Sequence, residues 1–325
     1  LQQGWLKMEY LILDIALICL PSGFGLKNRN VIIAAIDLGT NTFSLSICNV
    51  VNRKLTLIHQ EKEAVMIGMG GINEGYIAED AINRALSCLG RFKLSCDKYL
   101  VEEIRAIGTS AIRDAKNSHE FIQRVKANVN IEIKTVDGQQ EANLIYHGIA
   151  YKHLFAKPSL IMDIGGGSTE FIFADHEGII EMASFNIGIS RIYQLFDLSD
   201  PLSSDDIQKI ERYLDESTGD FFEKINTDIL IGAAGSFETF YEMIYNTTFP
   251  ESFESIEMPM SMFKNILDLV INSTYEERKA HLHIIEIRKK LAPIAAVKTR
   301  WILKKIVASQ IIVTPCSLKE GVLLG

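Results

Sequence analysis

Cysteine is scarce in this chain of 325 residues, and its spacing is unhelpful for cross-linking. The five cysteines, Cys19, Cys48, Cys88, Cys96 and Cys316, are odd in number and include no C-x-x-C pair. That argues against a disulfide framework or a thiolate metal site. Small buried thiols in a reducing, cytoplasmic setting are expected instead. The seven histidines form no H-E-x-x-H motif, and His281 and His283 lie two apart in an expected helix, where they point to different faces. Positive charge is not in excess. A net charge of −8 argues against a basic protein that coats nucleic acid, so no nucleic-acid partner is expected. Long apolar runs are missing as well. The stretch from Tyr10 to Leu20 is interrupted by Asp14 and falls short of the roughly 20 apolar residues that span a bilayer. Only Lys7 precedes it, where a signal peptide carries a basic segment. Residues 1–30 therefore read as an extension outside the fold, and no membrane partner is expected.

What is present is material for packed cores: 47% hydrophobic and 23% charged residues, without low-complexity tracts, which sets the chain apart from disordered ones. The length exceeds what one core usually supports, so two domains are expected. Two versions of one loop signature stand out, Asp37-Leu38-Gly39-Thr40-Asn41-Thr42 and Asp163-Ile164-Gly165-Gly166-Gly167-Ser168-Thr169. Each follows an apolar, strand-prone run and precedes another. Glycines let the backbone turn sharply and leave N–H groups free for anionic oxygens. The Asp before each turn can hold a hydrated divalent cation, and the hydroxyls after it can donate to phosphate. One such loop is only a hairpin turn. Two in matching order imply related half-domains closing on one phosphate chain.

The surrounding pattern is α/β. Val31 to Ile36, Phe43 to Val50 and Lys54 to Glu61 read as a three-strand meander. A long helix from about Ala78 to Tyr99 carries Ile82, Ala85, Leu86, Leu89 and Phe92 at helical spacing. Strands are expected at Ile104 to Gly108 and Ile131 to Val136, with helices opening at Ser110 and after the Asp137-Gly138 turn. The second half starts over with Ser159 to Asp163, Glu170 to Asp175 and Ile179 to Ile187. Ile229 to Ile231 is a strand leading to a helix at Phe237, the rest to Ala308 is mostly helical, and Ile311 to Thr314 is the last strand. Strand–strand–strand–helix–strand–helix, twice, is the arrangement of two ribonuclease-H-like domains of the actin, sugar kinase and heat-shock ATPase superfamily. Domain I is expected to span 31–138 plus 317–325, and domain II 139–316.

These residues resemble the exopolyphosphatase / guanosine pentaphosphate phosphohydrolase family. The resemblance rests on both loops, Thr109-Ser110-Ala111-Ile112-Arg113, Gly138-Gln139-Gln140-Glu141-Ala142, Asn186-Ile187-Gly188-Ile189-Ser190-Arg191, Gly232 to Ser236 and Leu318-Lys319-Glu320-Gly321. It covers Val31 to the end and looks like the short two-domain form, without a C-terminal helical extension. The loops occur across the whole superfamily; the contexts of Arg113, Glu141 and Glu170 narrow the resemblance to phosphatases.

The resemblance implies a Mg²⁺-dependent hydrolase (Mn²⁺ is an alternative ion) acting on inorganic polyphosphate or guanosine pentaphosphate, with a homodimer plausible. Hydrolysis of a phosphoanhydride needs the phosphoryl positioned, its charge neutralised and a water oriented in line. Gly165, Gly166, Gly167, Ser168 and Thr169 are expected to cradle the phosphoryl, with Gly39, Thr40, Asn41 and Thr42 facing them from the other domain. Asp163, with Asp37, is expected to hold the metal. Glu141 matches the family's key carboxylate and is the candidate base; otherwise it is a solvated helix carboxylate. Glu170, on the strand face opposite Phe171, is the second acid. Arg113 is expected to grip phosphate with its planar fork. Arg191 is expected either to neutralise phosphate further along the chain or to serve structure. Gly232 to Ser236 lies where actin-like ATPases place an adenosine turn, equally readable as a small-residued helix start. Arg288-Lys289-Lys290, with Lys298, Arg300, Lys304 and Lys305, either lines a polyanion path or is a solvated helix face.

Overall fold

β1 (Val31–Leu38) is almost continuously apolar because it runs through the middle of a sheet covered on both faces. β2 (Phe43–Val51) and β3 (Lys54–Glu63) follow it as antiparallel hairpins, and β3, largely exposed, forms the edge. α1 (Glu79–Lys98) buries Ala81, Ile82, Ala85, Leu89 and Phe92 against that sheet, the stripe its spacing announces. β4 (Glu103–Gly108) lies parallel to β1; α2 (Ser110–Arg113), α3 (Ser118–Val129), β5 (Ile133–Thr135) and α4 (Gly138–Ala150) complete the first half. The computed structural model describes residues 30–250 and 252–325. The apolar stretch from Tyr10 to Leu20 lies outside the described residues.

The second half repeats the sequence of elements. β6 (Ser159–Ile164), β7 (Thr169–Asp175) and β8 (Gly178–Phe185) form the meander, then α5 (Ile189–Leu195), α6 (Ser204–Thr218), β9 (Ile229–Ala233) and α7 (Gly235–Tyr245). β10 (Ile256–Met258), α8 (Met260–Asn272), α9 (Tyr275–Ala280), α10 (Ala292–Lys305), β11 (Gln310–Val313) and α11 (Leu318–Leu324) follow. The first sheet has the order β3-β2-β1-β4-β5, and the second β10-β11-β9-β6-β7-β8. Without its edge strand β10, the second order is β8-β7-β6-β9-β11, the same topology as the first. The molecule therefore has two ribonuclease-H-like domains in the actin-like arrangement.

Strand alternation sends one face of each central sheet toward the other domain. Ile33 and Ala35 of β1 and Ile161 and Ile172 of β6 and β7 share a core with Ala142, Ile145 and Ile149 of α4 and Leu318 and Val322 of α11. α4 and α11 thus lie between the sheets and contact each other extensively. Their backbones come so close that a side chain at Gly321 would run into the Leu144 carbonyl, and one at Gly148 into the Ser317 carbonyl. Asp37 and Asp163 follow the same alternation as these core residues, which brings both carboxylates toward the junction.

Several expectations need correction. The stretch after α7 includes β10, whose three residues are too short to show a period of two. α9 ends at Ala280, so His281 and His283 sit beyond it; burial lowers the basicity of His281. The basic cluster does not form one path. Lys289, Arg300, Lys304 and Lys305 pair with Glu286, Asp268, Glu211 and Asp215, as a solvated face does. Arg288 and Lys298 instead point inward. Among the described residues, Cys48, Cys88, Cys96 and Cys316 are buried free thiols, raised in pKa chiefly by burial. No described helix is long and apolar enough to cross a membrane.

Candidate active site

The two glycine loops close the β1–β2 and β6–β7 hairpins in matching register. Leu38 pairs with Phe43 and Asp37 with Ser44, while Ile164 pairs with Thr169 and Asp163 with Glu170. The loops meet. A Cβ at Gly166 would come within 2.8 Å of the Asn41 amide nitrogen, and one at Gly167 would crowd Ser110 and Thr40, so only glycine allows this approach. Ser190 Oγ donates to Asn41 Oδ1 at 2.6 Å, a further link between domains. Around the loops lies a cleft of about 170 Å³. Gly39, Thr40, Asn41 and Thr42 line it on one side, and Gly165, Gly166, Gly167 and Ser168 on the other.

Glu141 stands on the first turn of α4. That turn is fixed by a capping box: Asp137 Oδ1 accepts from the Gln140 amide at 2.8 Å, and Gln140 Oε1 from the Asp137 amide at 3.0 Å. A carboxylate is favoured by the positive end of the helix dipole there. Glu141 is only 6% exposed, so the solvated-carboxylate alternative does not hold. Arg113 Nη1 donates to its Oε2 at 2.8 Å, and to the Val136 carbonyl at 3.3 Å. Burial pushes the Glu141 carboxyl well above the usual range and neighbouring Glu170 adds to this, with Arg113 acting against both.

Glu170 projects into the cleft from β7, as its alternation with the core residue Phe171 requires. Ser184, its partner on β8, donates to Oε1 at 2.6 Å. Burial and the Asp163 charge raise its pKa to about 7. Asp163 accepts from Ser317 Oγ at the N-cap of α11, and burial above all moves its pKa up to about 6. Burial and Asp163 together raise Asp37 to about 7, and its Oδ1 is buried with no hydrogen-bond partner among the described residues. An orphaned carboxylate oxygen beside a second buried carboxylate is an environment that a cation would relieve. Among the described residues no cluster of three or more His, Cys, Asp or Glu forms a closed cage.

Other expected residues stand apart from the cleft surface. Thr169 is fully buried and its hydroxyl accepts from Lys298 Nζ at 2.5 Å, directing it to the core rather than to a ligand. Arg191 is spent on structure: Nε donates to the Gly167 carbonyl at 3.1 Å, and the fork reaches the Ile72 carbonyl at 3.2 Å and Asp114 at 3.1 Å. Gln194 extends this link, donating to the Gly68 carbonyl and accepting from the Gly70 amide. Arg113 touches the Glu141 carboxylate, not the cleft wall.

Three cations stand in the wall; of these only Arg288 was expected on a polyanion path, and Lys62 and Lys319 were not read as ligands from sequence. Lys319 reaches the cleft from α11, Arg288 from a short turn before α10, and Lys62 from the end of β3. Lys62 bridges the domains to Glu238 at 2.9 Å, and Arg288 Nη1 donates to Thr239 Oγ1 at 2.7 Å. Burial works to raise the Glu238 carboxyl, but Lys62 and Arg288 outweigh it and hold it below the usual range. Ala234, Gly235 and Ser236 line the same arm, with Ala234 at a φ of 67°.

The fold that carries this site has counterparts among solved structures. The crystal structure of an exopolyphosphatase from Cytophaga hutchinsonii superposes with a TM-score of 0.86 at 36% identity, covering 90% of this chain and 96% of that one. The Aquifex aeolicus PPX-GPPA enzyme gives 0.76 at 27% identity, covering 91% and 99%. In sequence, a putative exopolyphosphatase of Haemophilus influenzae is 26% identical over 76% of this chain and 79% of its own length. A bifunctional 3-dehydroquinate synthase/phosphatase of Fusobacterium nucleatum is 35% identical over 65% of this chain; the match spans only 34% of that relative. Residues 46–325, which carry the second loop, Glu141, Glu170 and the α11 turn, match the family model for the Ppx/GppA phosphatases. The chain belongs to the Ppx/GppA phosphatase family.

Proposed function

We propose that this chain is a Mg²⁺-dependent phosphoanhydride hydrolase that releases terminal phosphate from inorganic polyphosphate. One observation carries the proposal: a buried Glu141, held by Arg113, shares a cleft with Glu170, Asp37, the buried Asp163 and a pair of interlocked glycine loops. The loop amides and the Thr40, Thr42 and Ser168 hydroxyls bind and orient the terminal phosphoryl. Asp163 and Asp37 would hold Mg²⁺, which supplies positive charge to neutralise the transferring phosphoryl. Glu141 orients a water and accepts its proton, and burial makes its carboxylate a stronger base than an exposed one. Glu170, hydrogen-bonded by Ser184, assists from the opposite strand. Lys62, Arg288 and Lys319 give the rest of a polyanion somewhere to lie.

Guanosine pentaphosphate is the alternative substrate. The arm at Ala234, Gly235 and Ser236, with Ile287 on its wall, offers small and apolar surface on which a nucleoside can rest. The deciding measurement is phosphate release from long-chain polyphosphate and guanosine pentaphosphate side by side, with and without Mg²⁺. Mg²⁺-dependent turnover of polyphosphate is expected; turnover of the nucleotide alone transfers the proposal to the alternative. Binding without turnover of either would replace a hydrolase by a sensor.

Arg113 gives a separate check. Arg113→Gln removes the charge that counteracts burial at Glu141. The base works deprotonated, so activity rises with pH through its pKa, and losing Arg113 should move the acid limb of kcat/KM to higher pH. An unmoved limb would disconnect Arg113 from the base.

A further inference from the structure

Lys298 is fully buried on α10, surrounded by the apolar core of the second domain. Its ammonium has two acceptors, Thr169 Oγ1 at 2.5 Å and the Ile187 carbonyl. A cation removed from water carries a large desolvation penalty, and an apolar side chain of similar volume is often the more stable choice. Burial pushes this lysine down to about 7, with Glu170 acting the other way. Stability alone is therefore a poor reason for its presence.

Its two acceptors flank the phosphate loop. Thr169 ends the loop and immediately precedes Glu170. Ile187 precedes Gly188, the N-cap of α5, whose first amides take the loop carbonyls: Gly188 N donates to Gly167 O at 3.1 Å, Ile189 N to Gly165 O at 3.1 Å and Ser190 N to Gly166 O at 2.9 Å. Those bonds draw the loop carbonyls toward α5. In a trans peptide the N–H points opposite its carbonyl, so the same bonds turn the loop amides toward the cleft.

We propose that Lys298 is a positioning residue for the second phosphate loop, a buried cation that clamps Thr169 and Ile187 from behind and so fixes the 165–170 backbone. It touches no reacting atom and acts through Thr169 and the α5 turn. The inference rests on the hydrolase reading only for its activity readout.

The test combines Lys298→Met, Thr169→Val and their double variant with hydrogen exchange and steady-state kinetics. Each single variant should speed amide exchange in 165–170 about tenfold or more while β1 and β4 exchange as before. kcat should fall about 10- to 100-fold with KM within about threefold, as expected of a misplaced loop rather than lost binding. The double variant should lose no more than the worse single, and Thr169→Ser should restore kcat to within about twofold. If Lys298→Met does not fold, Thr169→Val and its serine counterpart decide. Unchanged exchange in 165–170, or losses that multiply in the double variant, would overturn the proposal. A wild-type chain inert toward every phosphoanhydride would remove the hydrolase reading and leave exchange to decide the role of Lys298.

Discussion

Glu141→Gln should lower turnover of the preferred phosphoanhydride about 10³-fold, roughly 4 kcal/mol of transition-state stabilisation, and leave KM within about threefold. The amide keeps the length of the side chain and an oxygen to accept from Arg113, so the first turn of α4 has no cause to move. What it lacks is the ability to take a proton. Stability should not suffer either. The native carboxyl is buried beside Glu170, and replacing it by a neutral group relieves a like-charge contact. A melting temperature at or above the native one, with kcat collapsed, would mark a catalytic loss and not an unfolding. A kcat within tenfold of native would show that Glu141 is not the base, and Glu170 would inherit the role.

The internal repeat explains why one centre arises from two similar halves. In matching register, Glu170 of the second hairpin corresponds to Ser44 of the first, each opposite the loop aspartate. α4 and α11 both begin with a capping box, Asp137 with Gln140 and Ser317 with Glu320. The residue after the box is Glu141 in one helix and Gly321 in the other. The phosphate loops and aspartates are thus shared by both halves, whereas Glu141 and Glu170 each occur once. The glycine counterpart also has its own duty, since Gly321 lets α11 press on the Leu144 carbonyl.

That division mirrors what could be read from the chain. Loops, strand order and the α1 stripe were legible because glycine, alternation and helical spacing are local signals. Glu141 and Glu170 were legible through their context in the family, not through their own chemistry, which many surface glutamates share. Lys298 looked like one more member of a basic run. Yet it lies between Ala292-Pro293-Ile294-Ala295-Ala296-Val297 and Trp301-Ile302-Leu303, and a helix apolar on all sides is buried on all sides. That signal was available and pointed inward. Arg288, Lys62 and Lys319 reach the cleft from three distant segments, a convergence no local pattern encodes. Arg191 and Thr169 have the residue types a phosphate site uses; their acceptor and donor inside the protein are set by the packing of α5 and α10.

Asp163→Asn should raise the melting temperature of the cation-free protein by about 3 °C or more near pH 8, and remove the rise that Mg²⁺ brings to the native chain. Asp163 is 7% exposed and lies beside Asp37, whose Oδ1 has no hydrogen-bond partner among the described residues. Two ionised carboxylates in one dry site oppose folding unless a cation sits with them, whereas an amide keeps an acceptor for Ser317 and drops one charge. A relief of about 1–2 kcal/mol corresponds to a shift of a few degrees in a protein of this size. Mg²⁺ binds the folded state in proportion to the charge that holds it, so the variant should melt at one temperature with or without the ion. Phosphate release should fall at least about 100-fold in the same variant. Thermal melts with Mg²⁺ and with chelator, run beside the activity assay, measure all of this on one preparation. An Asp163→Asn chain that is less stable without cation and still gains from Mg²⁺ would place the ion elsewhere. Stability gained where activity is lost is the expected mark of residues retained for chemistry at a cost to the fold.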